Sequence, residues 1–142
     1  KKLGLFNDEI SDINLINELL ILMQKNKADY TLTFGHLSSD AIFNDTIFTD
    51  PSFKVWHTNW MHRIQNQREG EEASRLMMLK HNPTTIPRNY LVEKALLLAV
   101  VDQDYKFLND FIAALQKPYE ESKVFSDTPL EEDSSYQTFC GT

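Results

Sequence analysis

The sequence predicts an all-α fold, a helical bundle of about six helices with an extended C-terminal tail. Three observations predict it. Apolar residues recur at three- and four-residue spacing through most of the chain, no apolar–polar alternation of any length appears, and breaks containing Asp, Asn and Pro separate the periodic stretches. The helical region is expected over residues 1–117, and a polar, acidic tail without helical periodicity over residues 118–142.

The first helix is expected from Ser11 to Gln24, where Leu15, Ile16, Leu19, Leu20, Leu22 and Met23 give the spacing of a buried face. Asp8, Ser11 and Asp12 supply capping groups or charge matched to the helix dipole. Asp29 reads as the N-cap of a second, shorter helix with Tyr30, Phe34 and Leu37 on one side, and Gly35 weakens its middle by about 1 kcal/mol relative to Ala. Residues 38–49 read as irregular, anchored by Phe43, Ile47 and Phe48. Asp50-Pro51 then starts a third helix with a capping carboxylate and a proline in the first turn. Phe53, Trp56, Trp60 and Ile64 form its apolar stripe. A fourth helix is expected over Glu71 to Leu79 with Leu76 and Leu79 inward, ended by Asn82-Pro83. Pro87 opens a fifth, whose run Ala95 to Val101 is apolar nearly all round and predicts a place in the middle of the bundle. Asp104 caps a sixth helix, lined by Phe107, Leu108, Phe111, Ile112 and Leu115 and ended by Pro118.

Composition excludes several function classes. The 142 residues are long enough to bury a core, and 42% are hydrophobic and 25% charged, an ordinary globular balance. The net charge of −7 comes with no basic block, which argues against binding nucleic acid or an anionic membrane surface. No apolar run approaches the roughly 20 residues of a membrane helix. A single cysteine rules out an internal disulfide framework, so a cytoplasmic setting is expected. The start at Lys1-Lys2 without an initiator Met leads us to expect a piece of a larger protein.

No catalytic constellation is complete. His57 and His62 are five residues apart and do not share a helix face, and His36 and His81 lie in other segments, so no metal site is expected. Trp56 and Trp60 read as core, although a stacking platform for a base has the same spacing. Arg63, one turn on from Trp60, is placed to bridge to a carboxylate or to carbonyls of a neighbouring loop. Asn82-Pro83 followed by Arg88-Asn89-Tyr90 is the most distinctive internal motif. Arg88 sits at a helix start, where the dipole favours anions, so a structural partner such as a buried carboxylate is expected for it, with a ligand contact as the other reading. The four glycines are scattered and form no phosphate-cradling loop. Cys140 stands third from the end in Phe139-Cys140-Gly141-Thr142. A thiol there is either incidental or does redox chemistry with a sulfur outside this chain.

These segments, in this order, resemble the C-terminal part of the selenoprotein O family of protein adenylyltransferases with a kinase-like fold. The resemblance rests on Lys2-Leu3-Gly4-Leu5, Leu19 to Met23, Ala28 to Phe34, Trp56 and Trp60 with Arg63-Ile64, Asn82-Pro83 with Arg88-Asn89-Tyr90-Leu91, Lys117-Pro118-Tyr119, and the cysteine near the end. It implies a pseudokinase that binds ATP with magnesium or manganese and transfers AMP to Ser, Thr or Tyr of protein substrates. The nucleotide and metal ligands it implies belong to an N-terminal catalytic part that precedes this chain, so no cofactor is expected here. Cys140 resembles the family's terminal redox position, and the resemblance implies a regulatory thiol there. Gln103 stands where relatives commonly have Gly before Asp104. A reading from another class stays open, a stand-alone helical module for protein interaction.

Overall fold

The structure is a computed structural model that describes residues 1–39, 46–120, 122, 124 and 125. Seven helices and no strand occur among them: α1 (Asp12–Lys25), α2 (Tyr30–Leu37), α3 (Thr46–Thr49), α4 (Pro51–Gln65), α5 (Gly70–His81), α6 (Asn89–Val101) and α7 (Lys106–Leu115). The all-α class is as the periodicity predicts. The additional helix is the single turn α3, inside the stretch read as irregular. Its Ile47 is fully buried, and Phe43 lies outside the described residues.

The chain divides into two compact units, Lys1–Asn82 and Pro83–Thr142. In the first, α1, α3 and α5 pack on α4, and α2 packs on α5. Two carboxylates start helices by accepting backbone N–H groups that the first turn leaves without partners. Asp29 Oδ1 accepts from Leu32 N at 2.8 Å, and Asp50 Oδ1 from Ser52 N at 2.8 Å. Leu15, Leu19, Leu22 and Met23 of α1 meet Phe53, Trp56, Trp60 and Ile64 of α4 in one buried cluster. On α5 the inward residues are Ser74 and Met78, not the expected Leu76, which is exposed. Gly4, whose backbone turns at φ +72°, lies against this face of α5. A Cβ on Gly4 would stand 2.9 Å from Ser74 Cβ, so the contact needs a small residue on each side.

In the second unit α6 packs on α7, and Leu91, Ala95, Phe111 and Phe125 form the core. The expectation that α6 lies at the middle of a bundle is corrected here. Leu97 is 62% exposed and Val100 78%. Within the unit α7 and Phe125 cover one side of α6, and an all-round apolar helix needs neighbours on every side to bury itself. The turn into α7 holds Gln103 at φ +54°, a left-handed position usually given to glycine. Asp104 Oδ1 then accepts from Lys106 N at 2.9 Å. The tail expected to extend from residue 118 starts with packed residues. Pro118 O accepts Thr84 N at 2.8 Å, and Phe125 is buried against Phe107 and Phe111. Residues 126–142, Cys140 among them, lie outside the described residues.

Leu19→Ala removes a fully buried side chain from the α1–α4 contact and is expected to cost about 2–5 kcal/mol. Val100→Asp, on the exposed side of α6, is expected to change stability by no more than about 0.5 kcal/mol. Urea unfolding of both variants, followed by far-ultraviolet circular dichroism, checks the pair.

Candidate functional site

Polar atoms of α4 side chains reach α1 and the non-helical segment that precedes it. Trp56 and Trp60 stack with ring centroids 5.7 Å apart and planes 8° from parallel, and both are buried. Each indole donates its N–H to a backbone carbonyl, Trp56 Nε1 to Leu15 O at 2.8 Å and Trp60 Nε1 to Leu3 O at 2.9 Å. They are structural anchors, with neither face open for stacking a base. One turn on, Arg63 is 9% exposed. Its Nε and Nη2 donate to the two oxygens of Asp12 at 2.9 and 3.1 Å, and Nη2 also donates to Asn7 O at 2.9 Å. Glu9 stands 3.3 Å from Nη1. Burial alone would raise the Asp12 carboxyl; the Arg63 guanidinium and the Glu9 N–H outweigh it and hold the group below its ordinary value.

Gln67, which the sequence reading passed over, completes this set just past the end of α4. Its Nε2 donates to Gly4 O at 3.0 Å and Ser74 Oγ at 3.1 Å, and its Oε1 accepts from Phe6 N at 2.8 Å. A lone Gln in Gln65-Asn66-Gln67 carries no sequence signal; only the strip of backbone brought beside it shows its use. Asp50 is a second knot. Lys25 and Asn26 donate to its Oδ2 at 2.8 and 3.0 Å, and with the Ser52 N–H they hold its carboxyl well below the usual carboxylate range.

The motif around residues 82–90 straddles the division between the units. Asn82 is buried and donates from Nδ2 to Lys2 O at 2.8 Å and to Ser38 Oγ at 3.0 Å, so it ends α5 and ties down the N-terminal segment at once. Pro83 follows as the first residue of the second unit. Arg88 is the N-cap residue of α6 in an extended conformation, and its carbonyl accepts Leu91 N and Val92 N at 3.0 Å each. Asn89 is exposed, Tyr90 is half-buried, and Tyr90 packs against the Leu91–Phe111 cluster.

Clefts lined by described residues open on the first unit. One, of about 410 Å³ between α1 and α4, is lined by Glu9, Glu18, Asn59, His62 and the Asp12–Arg63 pair. There Asp12 is taken up by Arg63, and His62 meets Asn66 at 3.1 Å. Another, of about 250 Å³, has Leu37, Trp60, Met61 and Met78 on its walls with His57. Burial lowers the His57 pKa, and the ring lies edge-on to Trp60 at 5.1 Å. On the wall of the second cleft the Ser38 and Ser39 hydroxyls donate to Phe34 O at 2.7 Å and His36 O at 3.3 Å. Among the described residues no three of His, Cys, Asp and Glu are gathered to hold a metal ion, and no helix is long and apolar enough to cross a membrane.

The chain is similar over residues 1–116 to the family described as protein adenylyltransferase SelO. The protein nucleotidyltransferase YdiU of Bacillus cereus is 43% identical over 145 residues, which cover 100% of this chain and 30% of that protein. The protein of the same name from Syntrophotalea carbinolica is 42% identical over 144 residues, 99% of this chain and 29% of its own length. That of Clostridium botulinum is 41% identical over 144 residues, with the same coverage. The chain thus spans about 30% of the length of these curated relatives.

Removing Arg63 leaves a buried carboxylate without its cation, so Arg63→Met is expected to cost about 3–5 kcal/mol. The pH dependence has a definite sign. The folded-state pKa of Asp12 is depressed, so its contribution is full above the unfolded value of about 3.9 and fades as pH falls through the folded value. Asp12→Asn is expected to lower stability at neutral pH and to flatten the loss between about pH 5 and pH 2. Unfolding midpoints measured across that range check both.

Proposed function

The chain belongs to the SelO family, and we propose that it is the C-terminal helical region of an enzyme that transfers AMP from ATP to Ser, Thr or Tyr of target proteins. In that reaction the target hydroxyl oxygen bonds to the α-phosphorus, the bond to the β-phosphate oxygen breaks, pyrophosphate leaves, and a base takes the hydroxyl proton. Such a step needs donors aimed at the phosphates and a divalent metal, magnesium or manganese, held by carboxylates. No such ligand set is gathered among the described residues, and the net charge of −7 disfavours a phosphate cradle here. We therefore assign ATP, the metal and the protein substrates to the kinase-like part of the polypeptide outside this chain. The match of the SelO family over residues 1–116 is the observation that carries this reading.

The role we assign to this chain is that of a buttress. Its buried hydrogen bonds lock the N-terminal segment onto α4, and α6 offers Leu97 and Val100 as an uncovered apolar side for the catalytic part to pack against. We assign Cys140 a regulatory function. Two thiols, that of Cys140 and one in the catalytic part, would give up two electrons and two protons to a disulfide such as oxidised glutathione and join as a disulfide that restrains the active site. The cytoplasm, which keeps a lone thiol reduced, is the compartment we expect.

Full-length protein incubated with ATP labelled at the α-phosphate is expected to transfer label to protein hydroxyls, and to do so more slowly after oxidation. Cys140→Ser is expected to abolish the difference between the redox states while leaving the reduced rate unchanged. Calorimetry of residues 1–142 with ATP and magnesium is expected to show no saturable heat. Micromolar binding by this chain alone would overturn the assignment of the nucleotide to the other part.

A further inference from the structure

The first helix carries two apolar faces where one is enough to hold it in its unit. Leu15, Leu19, Leu22 and Met23 are buried. Ile13, Ile16, Leu20 and Ile21 form a second face, turned away from that core at 100° per residue. Ile13 and Ile21 are each 64% exposed. Asn17 and Gln24 are the polar residues within this face, and the charged Glu18 and Lys25 fall on the third side of the helix. A water-facing helix surface ordinarily carries charge, and contiguous exposed apolar stripes mark contact sites.

We infer that this second face of α1 is the docking surface for the portion of the same polypeptide that lies outside this chain. The inference rests on the reading that this chain is part of a longer SelO-type enzyme. More than two thirds of the length of the curated relatives lies beyond the matched region, so a large covalently joined partner is at hand. The size of the face selects that partner over a second copy. Four aliphatic side chains bury on the order of 300–500 Å² at the area per side chain implied by the usual transfer coefficient. A stable dimer needs roughly 800 Å² from each partner. A tethered contact has no such threshold, because the linkage sets a high effective concentration. A lipid surface does not fit either: membrane-lying helices flank their apolar face with several Lys and Arg, and here the charged flank holds one of each sign, Glu18 and Lys25.

The test uses the full-length protein with Ile13→Cys, Ile21→Cys or, as a reference, Glu18→Cys, each in a Cys140→Ser background. Alkylation is followed site by site by peptide mass spectrometry. The two positions on the second face are expected to react at least tenfold more slowly than position 18, at every protein concentration. Equal rates overturn the inference, and so does protection that disappears on dilution, which would assign the face to a second copy. Hydroxyl-radical footprinting of the unsubstituted full-length protein gives the same readout without variants: Ile13 and Ile21 are expected to be oxidised at least tenfold below their rates in unfolded protein. AMP transfer measured on the same preparation separates the two claims. Transfer with an unprotected face sinks the docking inference alone, and a protected face without transfer sinks the proposed activity alone.

Discussion

The first unit depends on hydrogen bonds from side chains of α4, and of the residues that follow α4 and end α5, to the backbone of the segment before α1. That segment, residues 1–11, is not helical, so its carbonyls and N–H groups have no helix ladder to satisfy them. Buried backbone groups left unpaired cost about 1–3 kcal/mol each. Side chains supply the partners: Trp60 for Leu3 O, Gln67 for Gly4 O and Phe6 N, Arg63 for Asn7 O, and Asn82 for Lys2 O. With those groups satisfied, Leu3 can enter the core and Gly4 can turn against Ser74. The stacked indoles therefore do two things at once. They fill the core with large aromatic area, and their N–H groups hold two pieces of backbone, Trp56 the Leu15 carbonyl of α1 and Trp60 the Leu3 carbonyl of the irregular segment.

Much of this was legible in the sequence, and the exceptions have physical causes. Asp29 and Asp50-Pro51 announce helix starts because capping chemistry is local. The Phe53–Trp56–Trp60–Ile64 stripe is legible because its period is that of the helix it sits on. The pairing of Arg63 with Asp12 was legible only as a class of partner, since 51 residues of sequence separate the two. Gln67 and Ser74 gave no signal. Their use depends on where the turn at Gly4 arrives, and tertiary placement of that kind leaves no periodic trace. Leu76 and α6 misled in the same way. The face of α5 that meets Gly4 carries Ser74 and Met78, and Leu76, two residues on from Ser74, falls on the other side of the helix. On α6 an apolar surface all round signals that partners are needed, without saying that they lie in this chain.

The same contrast bears on function. Polar groups in the first unit are spent on holding the fold: Asp12 on Arg63, Asp50 on Lys25 and Asn26, and Gln67 on backbone. Apolar groups on the outer sides of α1 and α6 are in excess of what the fold uses. The buttress role we propose would use these uncovered apolar side chains of α1 and α6. That fits a chain matched along its whole length to about 30% of a nucleotidyltransferase.

The central claim, that Trp60 pins the N-terminal segment and Trp56 holds α1, each through a buried hydrogen bond from α4, is tested most directly by the hydrogen exchange of the two indole N–H groups. Nuclear magnetic resonance of the protein labelled with ¹⁵N at tryptophan resolves both. The account predicts that the Nε1 protons of Trp56 and Trp60 exchange only through cooperative opening of the unit, with protection that falls together when Leu3→Ala is introduced. Exchange of either indole at the rate of a free tryptophan side chain would contradict it.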